Sequence, residues 1–430
     1  MSPKSTGLSR DFWLFWSGQA VSTLGTSFTN LALPLLVYHL TGSAVNLALT
    51  SAAVFLPYLL FGLIIGAWVD RADRKRVMLF ANLLQAVAIA TIPFLAGLGH
   101  LGIWWIYAMG FVQSTLGICF SSAEFAVIPA LVSQDDLVTA NGRIQASYSA
   151  MQIVGPILAG ALSAVMPIER VLYFDAVSFL VAAGSLSLIR NSFRTAARAA
   201  ATSLRRDIME GLRYVLRHPV LRNISAMMAL VNFVGATTQA ELVFYAKQHL
   251  HAGNAQVGVL YSVESVGIIL LSLAAGPLRR RYSFSTVALT ALMISGCFTV
   301  AVGALTWYPA VLLCWGLGTG CGILFNINTS SLRQAIVPSE MLGRVVSIAG
   351  VLAWSGIPVG TFLGGVIIQR TGNAALVYMG IGVLMILIPL AFRFTALGHA
   401  EEYLPTAGEN APAGPESSGS TPLALNATPE

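Results

Sequence analysis

The sequence predicts an all-α membrane protein, with twelve transmembrane helices in two duplicated six-helix bundles. Three observations lead there. The chain of 430 residues is 56% hydrophobic and only 10% charged, with a mean hydropathy of +0.74, more apolar surface than one water-soluble core can hide. Its apolar residues gather in runs of about 20, the length that crosses a ~30 Å hydrocarbon core as helix. Finally, the sequence repeats itself once. Gly62-Leu-Ile-Ile-Gly66-Ala-Trp68-Val-Asp70-Arg71-Ala-Asp73-Arg74-Lys75-Arg76 ends an apolar run in a charge cluster, and Gly267 to Arg281 does the same half a chain later, closing on Arg279-Arg280-Arg281. Gly117-Ile118-Cys119-Phe120 is answered by Gly322-Ile323-Leu324-Phe325, and Gly155-Pro156 with Gly160 by Pro358 with Gly360. So long a period makes each copy a whole half-protein, not a solenoid unit.

In chain order, residues 1–11 form a short tail bearing Lys4 and Arg10. No short apolar segment with a cleavage site precedes the first apolar run, so the first helix is expected to act as its own insertion signal. Spans are expected over 12–38, 45–69, 77–98, 103–123, 143–166 and 170–189, giving an N-terminal bundle of 12–189. The linker, 190–220, is basic. Within it Leu204-Arg-Arg-Asp-Ile208-Met-Glu-Gly-Leu212-Arg-Tyr-Val215-Leu216-Arg sets apolar residues at helical spacing opposite arginines, which predicts an amphipathic helix lying flat on the inner leaflet. Spans over 221–244, 254–277, 284–305, 309–330, 345–368 and 374–394 make a C-terminal bundle of 221–394. From 395 to 430 the composition turns to Pro, Gly, Ser, Ala and Glu without Lys or Arg, and a disordered cytoplasmic tail is expected.

Basic residues orient the spans, because Lys and Arg are retained on the cytoplasmic side. With both termini inside, that side collects the Arg71 to Arg76 cluster, Arg143, the arginines between Arg190 and Arg222, Arg279 to Arg281, Arg333, Arg344 and Arg393, while the other keeps Arg170, Lys247 and Arg370. The formal charge of +6 is thus a topology signal with some affinity for anionic lipid, and gives no support for nucleic-acid binding. Cys119, Cys297, Cys314 and Cys321 lie inside spans without metal-like spacing and read as small core residues, so no metal and no cofactor is expected. His39, His100, His218, His249, His251 and His399 fall at span ends, in loops or in the tail, and form no catalytic constellation, so the chain is read as no enzyme. Gly is nowhere followed by Lys, so a phosphate-binding Gly-x-x-x-x-Gly-Lys loop cannot be written, and ATP-driven pumping by this chain alone is excluded.

Twelve spans in duplicated halves, a long basic central loop and the Gly-x-x-x-Asp-Arg-x-x-Arg-Lys-Arg cluster between spans two and three resemble the major facilitator superfamily over residues 10–394. The stretch Trp16-Ser-Gly18-Gln19-Ala-Val-Ser22-Thr-Leu-Gly25, Pro129-Ala-Leu-Val132 followed by Asn141, and Glu210-Gly211-Leu-Arg-Tyr214 before His218-Pro219 are similar to the branch containing macrolide-efflux and enterobactin-exporter proteins. The resemblance implies an inner gate latch at Gly66, Asp70, Arg71 and Arg74, with Asp73 departing from the family's Gly. It also implies a bendable gating element in span five at Gly155, Pro156 and Gly160, where exporters carry a related motif; its first glycine is replaced by Met151. The arginine that many superfamily exporters carry in span four has no counterpart between Gly102 and Phe120, and Thr26 stands where relatives often have Asp. Coupling by those residues does not carry over.

Acids inside a membrane are costly and mark function. Glu264 lies near the middle of span eight, with no Lys or Arg at matching depth, and is read as a proton-coupling group, a ligand for cationic substrate, or a structural carboxyl bonded to a neighbouring helix. Glu241, Asp175 and Glu124 are further proton-coupling candidates at shallower positions expected to reach water. Polar residues at helical steps suggest a cavity lining: Gln19, Thr26 and Asn30 in span one, Gln113 in span four, Gln152 in span five, Asn232 and Gln239 in span seven, and Asn326 in span ten, joined by Trp354. Such residues also glue helices together by hydrogen bonds. Amides, aromatics and few charges suit a bulky, partly apolar organic molecule.

The expectation is therefore a secondary active transporter in a bacterial inner membrane, a proton-coupled exporter of small amphipathic compounds such as antibiotics or siderophores. It works by alternating access, as a monomer, with protons, lipids and a small-molecule substrate as its partners. An importer or facilitator is the alternative, and a membrane sensor without transport a remote one.

Overall fold

The computed structural model describes residues 8–69, 72–133, 136–189 and 204–403. Among them are twelve helices long and apolar enough to cross a membrane. In order these helices, with the shorter pieces between them, are α1 (Arg10–Thr41), α2 (Ala44–Val69), α3 (Arg74–Gly97), α4 (Ile103–Leu131), α5 (Leu137–Val165), α6 (Ile168–Leu188), α7 (Leu204–Arg217), α8 (Pro219–Ala240), α9 (Leu242–Gln248), α10 (Asn254–Arg281), α11 (Phe284–Ala304), α12 (Tyr308–Ile336), α13 (Ser339–Trp354), α14 (Ile357–Thr371) and α15 (Ala374–Phe392). The fold is all-helical, as expected.

Short polar signals set the helix ends. Ser9 starts α1 by accepting from the Phe12 amide at 3.1 Å, and Gly42, in the left-handed region at φ 59°, ends it. Asp73 caps α3 by accepting from the Arg76 amide, which gives this departure from the family pattern a local structural role. Two spans are broken. The seventh is α8 plus α9 with the interruption at Glu241, and the eleventh is α13 plus α14, interrupted at Ser355-Gly356. At the second break Gly356 lies against the Ala229 carbonyl and Phe233, and Pro358 opens α14.

The bundles assemble by close helix approach. In the N-terminal bundle α1 packs on α6, α3 on α6 and α4, and α2 on α4. In the C-terminal one α11 packs on α12 and α15, and α10 on α12. At the latter crossing a Cβ on Gly267 would lie 1.9 Å from the Gly316 carbonyl oxygen, so glycine is required there. Phe80, Leu84, Val87 and Phe94 share one face of α3 and are exposed, an apolar surface suited to lipid. Cys297 is exposed too, unlike the core role expected of it, while Cys321 is buried.

We call the end of the molecule that carries Ser9, Arg76, Arg143 and Arg279 the basic face, and the opposite end the far face. Two corrections arise at the basic face. The amphipathic helix forms as α7, but its apolar side does not simply face lipid: Val215 is buried with Leu221, Val337, Val345 and Ile348, and Leu212 packs on them. This docks the linker helix on α8 and α13, leaving Met209 and Leu216 exposed. The rest of the linker, 190–203, lies outside the described residues. The chain also stays ordered past 395. Leu397 and Ala400 are buried against α8 and α11, a 3₁₀ turn spans Ala400–Tyr403, and Glu401 accepts from the Ser285 amide at 3.1 Å and its hydroxyl at 2.9 Å. The expected tail therefore begins no earlier than 404, beyond which lie residues outside the description.

Candidate functional site

Two crossings join the bundles. At the first, α5 meets α10: a Cβ on Gly258 would lie 2.3 Å from the Pro156 carbonyl oxygen, and one on Gly160 3.1 Å from Ala255 Cα. Ser262 donates to the Ile153 carbonyl at 2.7 Å, and Ser265 to that of Gln152 at 3.3 Å. Pro156 and Gly160 are thus contact points with the other bundle, whereas Gly155 packs on Ser27 of α1. At the second, α2 meets α14, where the Gln369 side-chain oxygen accepts from the Ala44 amide at 3.0 Å and the Ser43 hydroxyl at 3.2 Å. Gln248 also donates to the Tyr38 hydroxyl at 3.0 Å. These inter-bundle hydrogen bonds all lie between the middle and the far end, so the far face is closed. Toward the basic face, the space a Cβ would take on Gly66 is open.

Below this seal the bundles enclose a cavity of about 650 Å³. Two carboxylates line it, Asp175 from the N-terminal bundle and Glu264 from the C-terminal one, with the amides of Asn30, Gln85, Gln113, Gln145, Gln152 and Gln239 and the rings of Tyr58, Tyr148 and Tyr261. Among the described residues its lining includes no Lys, Arg or His. Asp175 is 1% exposed and accepts from Thr29 and from the Ser178 hydroxyl. Glu264 is half-buried and accepts from Gln239 Nε2 at 3.2 Å. Beside it stands the buried indole of Trp315.

Of the cavity residues expected from sequence, Thr26, Asn30, Gln113, Gln152 and Gln239 line this space, while Gln19, Asn232, Asn326 and Trp354 do not. Gln19 instead lies beside Glu124 toward the basic end of α4, and Asn232 Nδ2 donates to the Ala353 carbonyl at 2.8 Å as helix glue. Trp354 is 52% exposed at the α13–α14 break. Asn326 is exposed. The expected access to water fails for Glu241, which is 0% exposed because α14 and α2 close over it, and Asp175, though it borders the cavity, packs against α1 and is itself almost fully buried. Of the latch, Gly66 and Arg74 are described, whereas Asp70 and Arg71 lie outside the described residues.

The sequence reading missed Tyr58, Tyr148, Tyr261 and Gln85. Tyr148 stands at helical steps from Gln145 and Gln152, and that periodicity was a usable signal. Gln85 and Gln113 bind each other's helices, Gln113 Nε2 donating to the Gln85 carbonyl at 2.9 Å.

A central cavity between two six-helix bundles, closed at one end and lined by groups from both, is the architecture of a membrane transporter. The family comparison agrees: the Major Facilitator Superfamily model matches residues 15–321, and the chain belongs to that superfamily. Among curated relatives, macrolide efflux protein A of Streptococcus pyogenes is 25% identical over 367 residues, covering 84% of this chain and 90% of its own. The multidrug efflux pump Tap of Mycolicibacterium fortuitum is 28% identical over 385 residues, covering 86% and 92%. The resemblance to the macrolide-efflux branch therefore holds. Among solved structures, a bacterial homologue of the iron transporter ferroportin in an inward-facing state superposes with a TM-score of 0.73 at 17% identity, over 90% of this chain and all of that one. The nucleoside transporter NupG gives 0.72 at 13%, over 91% and 99%. These two share the fold. The chain is a multi-pass membrane transporter.

Proposed function

We propose that this transporter is a proton-coupled exporter of amphipathic organic compounds, neutral or cationic, in a bacterial cell membrane. The observation that carries this reading is the cavity lining: two carboxylates on facing bundles, amides, three tyrosines and no cationic side chain. Such a wall attracts positive charge, offers aromatic faces to it, and repels anions. The efflux-named relatives support the direction of transport.

In this account the basic face is cytoplasmic, because arginines gather there, and both termini lie inside. The described conformation then receives substrate from the cytoplasm while the α5–α10 and α2–α14 crossings keep the outside closed. Substrate binds beside Glu264 and Asp175 and displaces protons. Opening of the outer crossings and closure around the Gly66, Asp70, Arg71 and Arg74 latch, with Gly155, Pro156 and Gly160 guiding the slide of α5 past α10, releases the substrate outside, where protons reload the acids. Exchange of this kind makes a single chain sufficient, so the working unit is a monomer. A facilitator, the competing reading, moves the same compounds without responding to a proton gradient. Binding of a fluorescent cationic dye to the purified chain, displaced both by a macrolide and by lowering the pH, is the expected result; dye binding indifferent to pH and to Glu264→Gln contradicts it.

A further inference from the structure

Outside the cavity, one acidic side chain stands in a position that its surroundings do not explain. Glu241 occupies the break between α8 and α9 and is fully buried. Among the described residues neither of its carboxyl oxygens has a hydrogen-bond partner. Its neighbours come from both bundles: a Cβ placed on Gly365 of α14 would lie 3.1 Å from Glu241 Oε1, 2.6 Å from Ala48 Cβ and 3.0 Å from the Ala44 carbonyl oxygen of α2. The carboxyl therefore lies in the seam where α2 meets α14, one turn below the Gln369 contact that caps α2 from the other bundle.

The groups able to satisfy a carboxylate there are spent elsewhere. Tyr378 of α15 stacks on Tyr245 of α9 at 4.5 Å between centroids, but donates its hydroxyl proton to the Thr238 carbonyl, while Tyr245 donates to the Val302 carbonyl. Tyr261 of α10 is the third titratable group of this cluster. Around Gly365 the nearest groups besides Glu241 Oε1 are Ala48 Cβ and the Ala44 carbonyl, while Gln369 is turned to α2. Lys247, the cation of α9, is held by Asn254 at 2.6 Å. An ionised carboxylate with no donor and no cation is not sustained in such a place, whereas a neutral carboxyl is.

We propose that Glu241 is a proton-operated gate residue: a protonated carboxyl lets α2 and α14 close the far face, and its ionisation requires that this seam part and admit water. The site is separate from Glu264, which sits on the cavity wall, and makes the far gate respond to the pH of the far compartment. Acid on that side favours the closed far face, alkali the open one. This inference rests on the alternating-access reading above.

The experiment uses the full chain in liposomes, with Cys119, Cys297, Cys314 and Cys321 replaced by alanine and spin labels at positions 40 and 370, where Leu40 and Arg370 are exposed at the far ends of α1 and α14. Label separations are measured between pH 5 and pH 9. The wild type is expected to move toward the short distance as pH falls, the open-to-closed ratio changing by up to about tenfold per pH unit, the slope of one linked proton. Glu241→Gln is expected to keep the short distance throughout. Gly365→Ala, which drives a methyl into the seam, is expected to raise the long-distance population at every pH. A Glu241→Gln chain that still titrates like the wild type overturns the proposal, as does a Gly365→Ala chain with wild-type distances. A wild-type distance that responds to a macrolide but not to pH also overturns it, while leaving the transport reading intact.

Discussion

Gln239 donates to Glu264 Oε2 at 3.2 Å and so ties the last turn of α8 to the middle of α10 on the cavity wall. The bond holds one oxygen of a carboxyl that lines the cavity. Gln239→Ala is therefore expected to leave the chain folded but release the carboxyl into alternative rotamers. Dye affinity should fall by up to roughly ten- to a hundredfold, since hydrogen bonds to charged groups contribute about 1.5–3 kcal/mol. Equilibrium binding at fixed pH checks this, with Asn232→Ala, whose amide serves the α8–α13 contact instead, as the variant expected to change stability and spare affinity.

The α5–α10 crossing makes a steric prediction. A methyl at Gly258 has no room beside the Pro156 carbonyl, so Gly258→Ala is expected to destabilise the closed far face by about 1–3 kcal/mol, the usual range for overpacking. Far-side labelling of a cysteine introduced at Ser51, on the cavity wall, should accelerate roughly ten- to a hundredfold.

At the basic face, burial alone would raise the Glu401 carboxyl, but the hydrogen bonds from Ser285 and its neighbours outweigh it and hold the group below the ordinary glutamate range. A depressed carboxyl contributes stability above its undocked pKa and loses it as pH falls through the docked one. The segment Leu397–Tyr403 is therefore expected to be protected at neutral pH and to loosen in acid. Hydrogen exchange of these amides at pH 7 and pH 4 checks it, and Glu401→Gln should exchange at pH 7 as fast as the wild type does in acid.

Asp73 caps α3 through the Arg76 amide and approaches the Arg76 guanidinium at 3.5 Å. Asp73→Ala is expected to cost about 1 kcal/mol, as loss of a helix cap usually does, and Asp73→Asn much less. Thermal unfolding in detergent distinguishes the two.

Most of the fold was legible because bilayer physics writes it plainly: twelve apolar runs, arginines such as Arg279 to Arg281 at one set of ends, and glycines such as Gly267 where helices touch. The cavity was legible in part. Thr26, Asn30, Gln113, Gln152 and Gln239 were found by helical spacing, which reports a shared face. Spacing cannot tell whether that face meets a cavity or a neighbouring helix, and so Asn232 was misplaced. Glu241 was misread because Thr238-Gln-Ala-Glu-Leu242 holds no Gly or Pro to announce a helix break, and its burial is made by α2 and α14, distant in sequence. Leu397 and Ala400 escaped because a docked piece this short has no periodicity to detect.

The central claim is proton-coupled export through the cavity between Asp175 and Glu264. Its most direct test is flux in proteoliposomes of known orientation, with an acidic far side and a macrolide or cationic dye supplied at the basic face. Gradient-driven movement toward the far side, lost in Glu264→Gln, is the predicted result. Movement of equal rate with and without the gradient, unchanged by Glu264→Gln, would contradict it.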